Sequence, residues 1–219
     1  MNIEKIVNSK LYRFFDWAWR LAILNILTLI TSLGVITLLS SLTACYQTIH
    51  DYANGNERNV FYTYFHNLKR HFIEPLKGNI VIIIAAIVFV IALLFYSSNS
   101  NGEGFWTTIS VIGFYFVVFL IAILLLVLLQ LPIIYTNFHF RYVDNFRFAF
   151  LMAFRYFPKS ILYAVGLVGA WALYIFFVPG WTVTCFSLPL FIGFILFKNV
   201  YWKLNHEVEE EKEHHETGN

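Results

Sequence analysis

His50 and Asp51 stand side by side near the end of an apolar segment, and their types suit proton transfer. An aspartate at that place also suits a solvated helix terminus, which is the reading adopted here. Cys45 and Cys185 lie in two separate apolar segments. A redox pair or metal site needs closer spacing and more ligands, so both are expected to be small buried packing residues. His206, His214 and His215 sit in an acidic tail without ligand spacing, and His66, His71 and His139 share no common face. No Gly-rich phosphate loop, nucleophile elbow or paired zinc-protease histidines are present. The expectation is therefore a non-enzymatic protein with no catalytic residue, no cofactor and no metal site.

The polar residues inside the apolar runs are uncharged: Asn25, Thr28, Thr31, Ser32, Gln47 and Gln130. Ion-coupled transporters and proton relays usually place Asp, Glu, Lys or Arg at mid-depth in the membrane. Asn25, Gln47 and Gln130 are thus candidates for intramembrane polar contacts, either hydrogen bonds between helices or part of a substrate site. A helix broken at Ser187-Leu188-Pro189 would favour the second use.

The elements that must position these residues are set by charge. Every Lys and Arg falls into one of four clusters: Lys5–Arg20, Arg58–Lys77, Arg141–Lys159 and Lys198–Lys212. Between the clusters run Ile80–Tyr96, Trp106–Gln130, Ile161–Val178 and Thr182–Phe197, all free of basic residues. Charged residues are 13% of the chain and hydrophobic ones 59%, more apolar surface than one soluble core of 219 residues can hide. A polytopic bundle in the cytoplasmic membrane, with its basic segments inside, satisfies both observations. Nucleic acid is not an expected partner, because the cations flank spans where the anionic leaflet is the simpler one.

The first apolar stretch decides the topology. Read as a single span, Leu21–Cys45 gives five crossings and sends one basic cluster across the bilayer. Read as a hairpin, Tyr12–Leu33 and Thr37–Tyr52 are two arms turning at Ser32-Leu33-Gly34. That gives six spans, both termini cytoplasmic, and external links at Gly34–Ile36, Ser97–Phe105 and Pro179–Trp181. The six-span reading is preferred because it keeps all 15 basic residues inside. The second arm carries a small polar stripe, Thr37, Ser40, Ser41, Ala44 and Thr48, suited to close helix packing. Leu38, Leu42, Cys45 and Ile49 form its opposite face.

Two cytoplasmic stretches have the pattern of helices lying in the membrane surface. Phe61, Tyr64, Phe65, Leu68 and Phe72 form one apolar face beside Lys69 and Arg70. Phe146, Phe150, Phe154 and Phe157 form another beside Arg147 and Arg155. Lys69, Arg70, Arg147 and Arg155 are the candidate contacts for a protein partner, the other use of these helices being lipid anchorage. Residues 1–205 are expected to form one membrane domain, and 206–219 a disordered cytoplasmic tail.

Leu24-Asn25-Ile26-Leu27, Ser32-Leu33-Gly34-Val35-Ile36-Thr37 and Leu42-Thr43-Ala44-Cys45-Tyr46, followed by the aromatic-basic segment Val60–Phe72, resemble the YesL-like family of bacterial integral membrane proteins. Gly34 stands where that family more commonly has proline. The resemblance is sharpest over the first seventy-odd residues and beyond them rests on span layout and length. It supplies no catalytic residues. It implies an accessory or assembly factor beside a bacterial carbohydrate-uptake complex; the alternative is a small solute transporter acting alone.

Overall fold

The computed structural model describes residues 10–56, 59–100, 104–138, 142–176 and 186–217, and every regular element among them is helical. In chain order these are α1 (Lys10–Ser32), a 3-10 turn (Val35–Thr37), α2 (Leu38–Ala53), α3 (Val60–Arg70), α4 (Ile73–Ser98), α5 (Phe105–Asn137), α6 (Tyr142–Arg155), α7 (Phe157–Phe176) and α8 (Ser187–Thr217).

The first apolar stretch is a hairpin. Its chain reversal is held by Thr37, whose N–H meets the Gly34 carbonyl at 2.7 Å and whose hydroxyl meets the Thr31 carbonyl at 2.6 Å. From that turn the two arms run antiparallel. Thr28 lies beside Cys45, and the Arg20 guanidinium sits 4.6 Å from the centre of the Tyr52 ring.

α2 is the hub, packing on α1, α3, α4, α5 and α8. Its small polar stripe is buried as expected, with Ser40, Ser41, Ala44 and Thr48 all inaccessible. The opposite face is enclosed as well: Cys45 and Ile49 are fully buried, and Leu42 packs against the core. A helix of 16 residues carrying Ser, Thr and Gln presents many polar groups to a low-dielectric interior. Ser41, Thr43 and Thr48 answer this by donating to carbonyls one turn back, at 3.0, 2.8 and 2.7 Å.

α3 runs back along α2. Asn67 reaches Thr48 and Asp51 near the C-terminal end of α2, and Ser40 at its other end donates to the Phe72 carbonyl. The aromatic stripe expected to lie in lipid is therefore divided. Tyr64 is fully buried against the hairpin together with Thr63 and Asn67, while Phe61 and Phe65 stay half exposed. In α6 the partition is cleaner. Asn145, Ala149, Met152 and Ala153 face inward, and Phe150 and Phe154 face outward in mutual contact at 4.7 Å.

This course of α3 bears on sidedness. The Asn79 amide, two residues past Lys77, donates to the carbonyls of Val35 and Ile36 at the hairpin tip, at 2.5 and 2.8 Å. The tip and the start of α4 thus share one level. The expected six-span arrangement places the tip outside and Lys77 inside.

α4 and α5 form a second, longer hairpin. Gly113 lets them touch: a Cβ there would sit 2.5 Å from the Tyr96 ring. Beyond Asn79 the described length of α4 has no fully buried residue, whereas α5 buries Gln130–Tyr135 in the core. α6 and α7 meet at an angle of 96°, with Pro158 in the first turn of α7, where a missing N–H costs nothing. The acidic tail, expected to be disordered, continues α8 as helix to Thr217. Its Glu and Lys residues are good helix formers.

Three helical segments are long and apolar enough to cross a membrane: Phe14–Ser32, Ile73–Ser98 and Phe105–Asn137. The bent α6–α7 pair would be a fourth if counted as one span. The expected link at 179–181 and parts of the last two expected spans lie outside the described residues.

Enclosure of α2 on all sides makes a prediction. Ala44→Leu should destabilise the protein by about 1–3 kcal/mol through overpacking. Ile49→Ala, on the opposite face, should cost about 2–5 kcal/mol through the cavity it leaves. Thermal unfolding in detergent measures both. An Ile49→Ala protein as stable as wild type would mean that this face meets lipid after all.

Candidate functional site

The three uncharged polar residues singled out in the sequence are all hydrogen-bonded, and Asn25 and Gln130 tie separate helices together. Asn25, on the inner face of α1, is fully buried, and its side-chain oxygen accepts from the Phe186 N–H at 2.9 Å. Phe186 immediately precedes α8, so Asn25 supplies an acceptor to a helix N-terminus that has no intrahelical partner there. A bond across 161 positions thereby joins the first helix to the last.

Gln130 links three helices. Its amide donates to the Ser160 hydroxyl of α7 at 3.1 Å, and its carbonyl accepts from the Tyr201 hydroxyl of α8 at 3.2 Å. Ser160 in turn donates to the Tyr156 carbonyl at 3.3 Å. Gln130, Ser160 and Tyr201 are each almost wholly buried, where an unmatched amide or hydroxyl would be costly.

Gln47 belongs to a third group. It donates to Asp51 at 2.9 Å, one turn along the same helix, and Asn67 of α3 donates to the other carboxylate oxygen at 2.8 Å. Both oxygens of Asp51 are thus held by neutral amides, which fixes α3 on α2. His50 turns elsewhere: its ring lies near the Asn54 amide, at 3.2–3.3 Å, and edge-on to Phe194 at 5.9 Å. Adjacent in sequence, His50 and Asp51 share no hydrogen bond among those described.

The four basic residues do not form one surface. Lys69 and Arg70 are exposed at the end of α3, which packs on α1 and α2. Arg147 and Arg155 are exposed on α6, which packs on α5 and α7. Arg147 forms a loose pair with Asp144 at 3.7 Å, too open and solvated to matter much. Arg155 lies 5.9 Å from the centre of the Tyr156 ring, and Lys159 lies 5.8 Å from the same ring.

Two of the four charge clusters nevertheless meet at one end of α2, and the C-terminal one also meets the third beside the α6–α7 bend. Arg20 covers Tyr52, Lys198 is close enough to act on His50, and Arg155 and Lys203 line one cavity. Lys77 of the remaining cluster lies at the other end, by the hairpin tip. Among the described residues no three of His, Cys, Asp and Glu come together as metal ligands. Cys185 and His139 lie outside the described residues, as do the side chains of His206, His214 and His215.

Sequence reasoning missed Asn67 and Asn79, which carry the links between α3, α4 and the hairpin. Asn79 sits at the polar edge of a long apolar run, a place where solvent alone would account for it. The signal for Asn67 was its position on the α3 side away from Phe61 and Phe65.

Each link should be measurable. Gln130→Leu removes the acceptor of Tyr201 and the donor to Ser160, and Asn25→Leu removes the acceptor of the Phe186 N–H just before α8. Interhelical bonds of this kind are worth about 0.6–2 kcal/mol each. Both variants should lower the unfolding temperature in detergent, whereas a substrate site would tolerate them and lose only ligand.

No curated protein and no solved structure matches the chain. Residues 21–96, which run from α1 into α4 and include the tip, the hub and both asparagines, match the family model described as a protein of unknown function, DUF624.

Proposed function

We propose that this chain is a non-enzymatic integral membrane protein of the bacterial cytoplasmic membrane, acting as an accessory or assembly factor. The observation that carries this reading is the use of Asn25, Gln47 and Gln130. Each is engaged in hydrogen bonds within the described fold, and two of them join separate helices. A transporter working through these residues would need them to exchange protein partners for solute. The exposed end of α3 is a different matter: Phe65, Lys69 and Arg70 project from a helix anchored by Tyr64 and Asn67. An aromatic-basic patch on a fixed helix suits a protein contact, because aromatic residues and Arg are enriched where binding energy concentrates. The resemblance to YesL-like proteins supports a carbohydrate-uptake complex as the partner.

The topology belongs to the same reading. Both termini are cytoplasmic, α4 and α5 cross the bilayer, and the α1–α2 hairpin lies along the cytoplasmic leaflet instead of adding two crossings. Two observations support this over the six-span count. The tip is bonded to the start of α4, and the hairpin keeps Lys77 on the side of Lys198 and Lys203 only if it does not cross. The exposed stripe Phe15, Trp19, Ile26, Ile30 and Leu33 on α1 then faces lipid along its length.

Single cysteines at Val35, Lys77 and Lys203 should all be shielded from an impermeant thiol reagent in intact cells and all label in inverted vesicles. Labelling of position 35 from outside would restore the crossing hairpin. For function, Lys69→Glu with Arg70→Glu should give an inserted protein that no longer co-purifies with its partner in mild detergent. Solute flux through the purified chain in liposomes, with no partner present, would instead establish a transporter.

A further inference from the structure

The seam between the end of α2 and the middle of α8 holds a titratable group that takes no part in the hydrogen bonds around Asp51. His50, half-buried in the last turn of α2, lies edge-on to Phe194 at 5.9 Å. Phe194 is a core residue that also meets Tyr46, one turn earlier on α2, at 6.2 Å. The Lys198 ammonium lies 5.6 Å from the centre of the same ring. One phenyl ring thus neighbours both the imidazole and a cation carried one turn further along α8. His50 also meets the Asn54 amide nitrogen, at 3.2–3.3 Å. An amide N–H needs an acceptor, and among the two forms of histidine only the neutral ring offers one.

The charges around this seam favour the neutral ring. Asp51 draws a proton toward His50, but both its oxygens are already held by Gln47 and Asn67. Lys198 opposes it from α8. Arg20 of α1 is paired with Asp16 and lies over Tyr52 instead. Lys69 and Arg70 of α3, with Glu74 and Lys77 of α4, follow the chain toward the hairpin tip, where the Phe72 carbonyl meets Ser40. α5 carries no charged residue. Further along α8, Lys203 lines the cavity at the α6–α7 bend, and Glu207, the first acidic residue of that helix, follows Lys198 by a rise of about 13 Å. Burial first, and then the Lys198 charge, hold the imidazole below its ordinary value of 6.5. The unfolded chain therefore takes up this proton at a higher pH than the seam does. The contact with α8 is at full strength above 6.5 and weakens as the pH falls below it.

We propose that the α2–α8 seam is a pH-sensitive contact, in which protonation of His50 drives its ring off Phe194 and loosens α8 from the hub. The charged ring gains water by leaving, and it gives up only an Asn54 amide that it can no longer accept. Histidine is the side chain whose ordinary range brings such a change close to physiological pH. The loosening is bounded. α8 stays tied by Asn25 at Phe186 and by Gln130 at Tyr201, and Phe194 and Lys198 lie between these two ties. The opening is thus confined to one stretch of one helix. It stands whether or not the α3 patch binds a protein.

The test is amide hydrogen exchange of the purified chain in neutral detergent, with variants compared at the same pH so that intrinsic rates cancel. On going from about pH 7.5 to about pH 5.5, residues 190–200 should gain exchange about threefold or more in wild type relative to His50→Gln. Lys198→Glu, which sets an anion where the cation was, should abolish that gain or reverse it. His66→Gln, which removes an exposed imidazole from α3, should leave it unchanged. The same acid response in wild type and His50→Gln overturns the switch, and so does an undiminished gain in Lys198→Glu. Loss of the gain in His66→Gln would assign the response to α3 and overturn it as well.

Discussion

The burial of α2 is the constraint from which the rest of the arrangement follows. It is short and rich in hydroxyls, and its stripe of Ser40, Ser41 and Thr48 would face hydrocarbon if that side were left open. Hydroxyls donating to carbonyls one turn back settle only part of that difficulty. The remainder is settled by enclosure, with five helices closing around it. α1 covers one side through Thr28 and Leu24, α3 covers another through Tyr64 and Asn67, and α8 presents Phe194 to Tyr46. Even the start of α4 is fixed by the tip that α2 makes with α1.

Much of the hairpin was legible because a breaker and two periodicities coincide there. Gly34 interrupts the apolar run, and on either side the residues change from a broad apolar face to a narrow small-residue stripe. The polar contacts of Asn25 and Gln130 were legible as types without partners: an amide in an apolar run must be bonded to something. Which helix supplies the partner depends on tertiary contact, and nothing local to Asn25 points to Phe186.

Sidedness is harder to read than the helices themselves, and the reason is physical. Charge clustering reports which segments stay on one side, but where an apolar hairpin's tip docks depends on tertiary bonds such as those of Asn79, which no charge pattern reveals. α3 shows the same limit. Its aromatic face has the period of a surface helix, yet Tyr64 serves protein and Phe65 does not, a division set by the nearness of Thr31, whose hydroxyl meets the Tyr64 hydroxyl at 2.6 Å. In α6 the small residues Ala149 and Ala153 mark the inward face as firmly as Phe150 and Phe154 mark the outward one.

The length of α5 sets the depth of everything attached to it. Its 33 residues make a rod about 50 Å long, against a hydrocarbon core of about 30 Å. If Phe105 and Trp106 mark one boundary of the core, the last third of the rod extends past the other. That third is the part that carries Gln130, Tyr135 and the packed helices. The α4–α5 hairpin then outreaches the core it could span, and the packed helices gather at the end of α5 that lies beyond it. A thicker or thinner bilayer is met by tilting that hairpin, which has few neighbours, leaving the packed helices undisturbed.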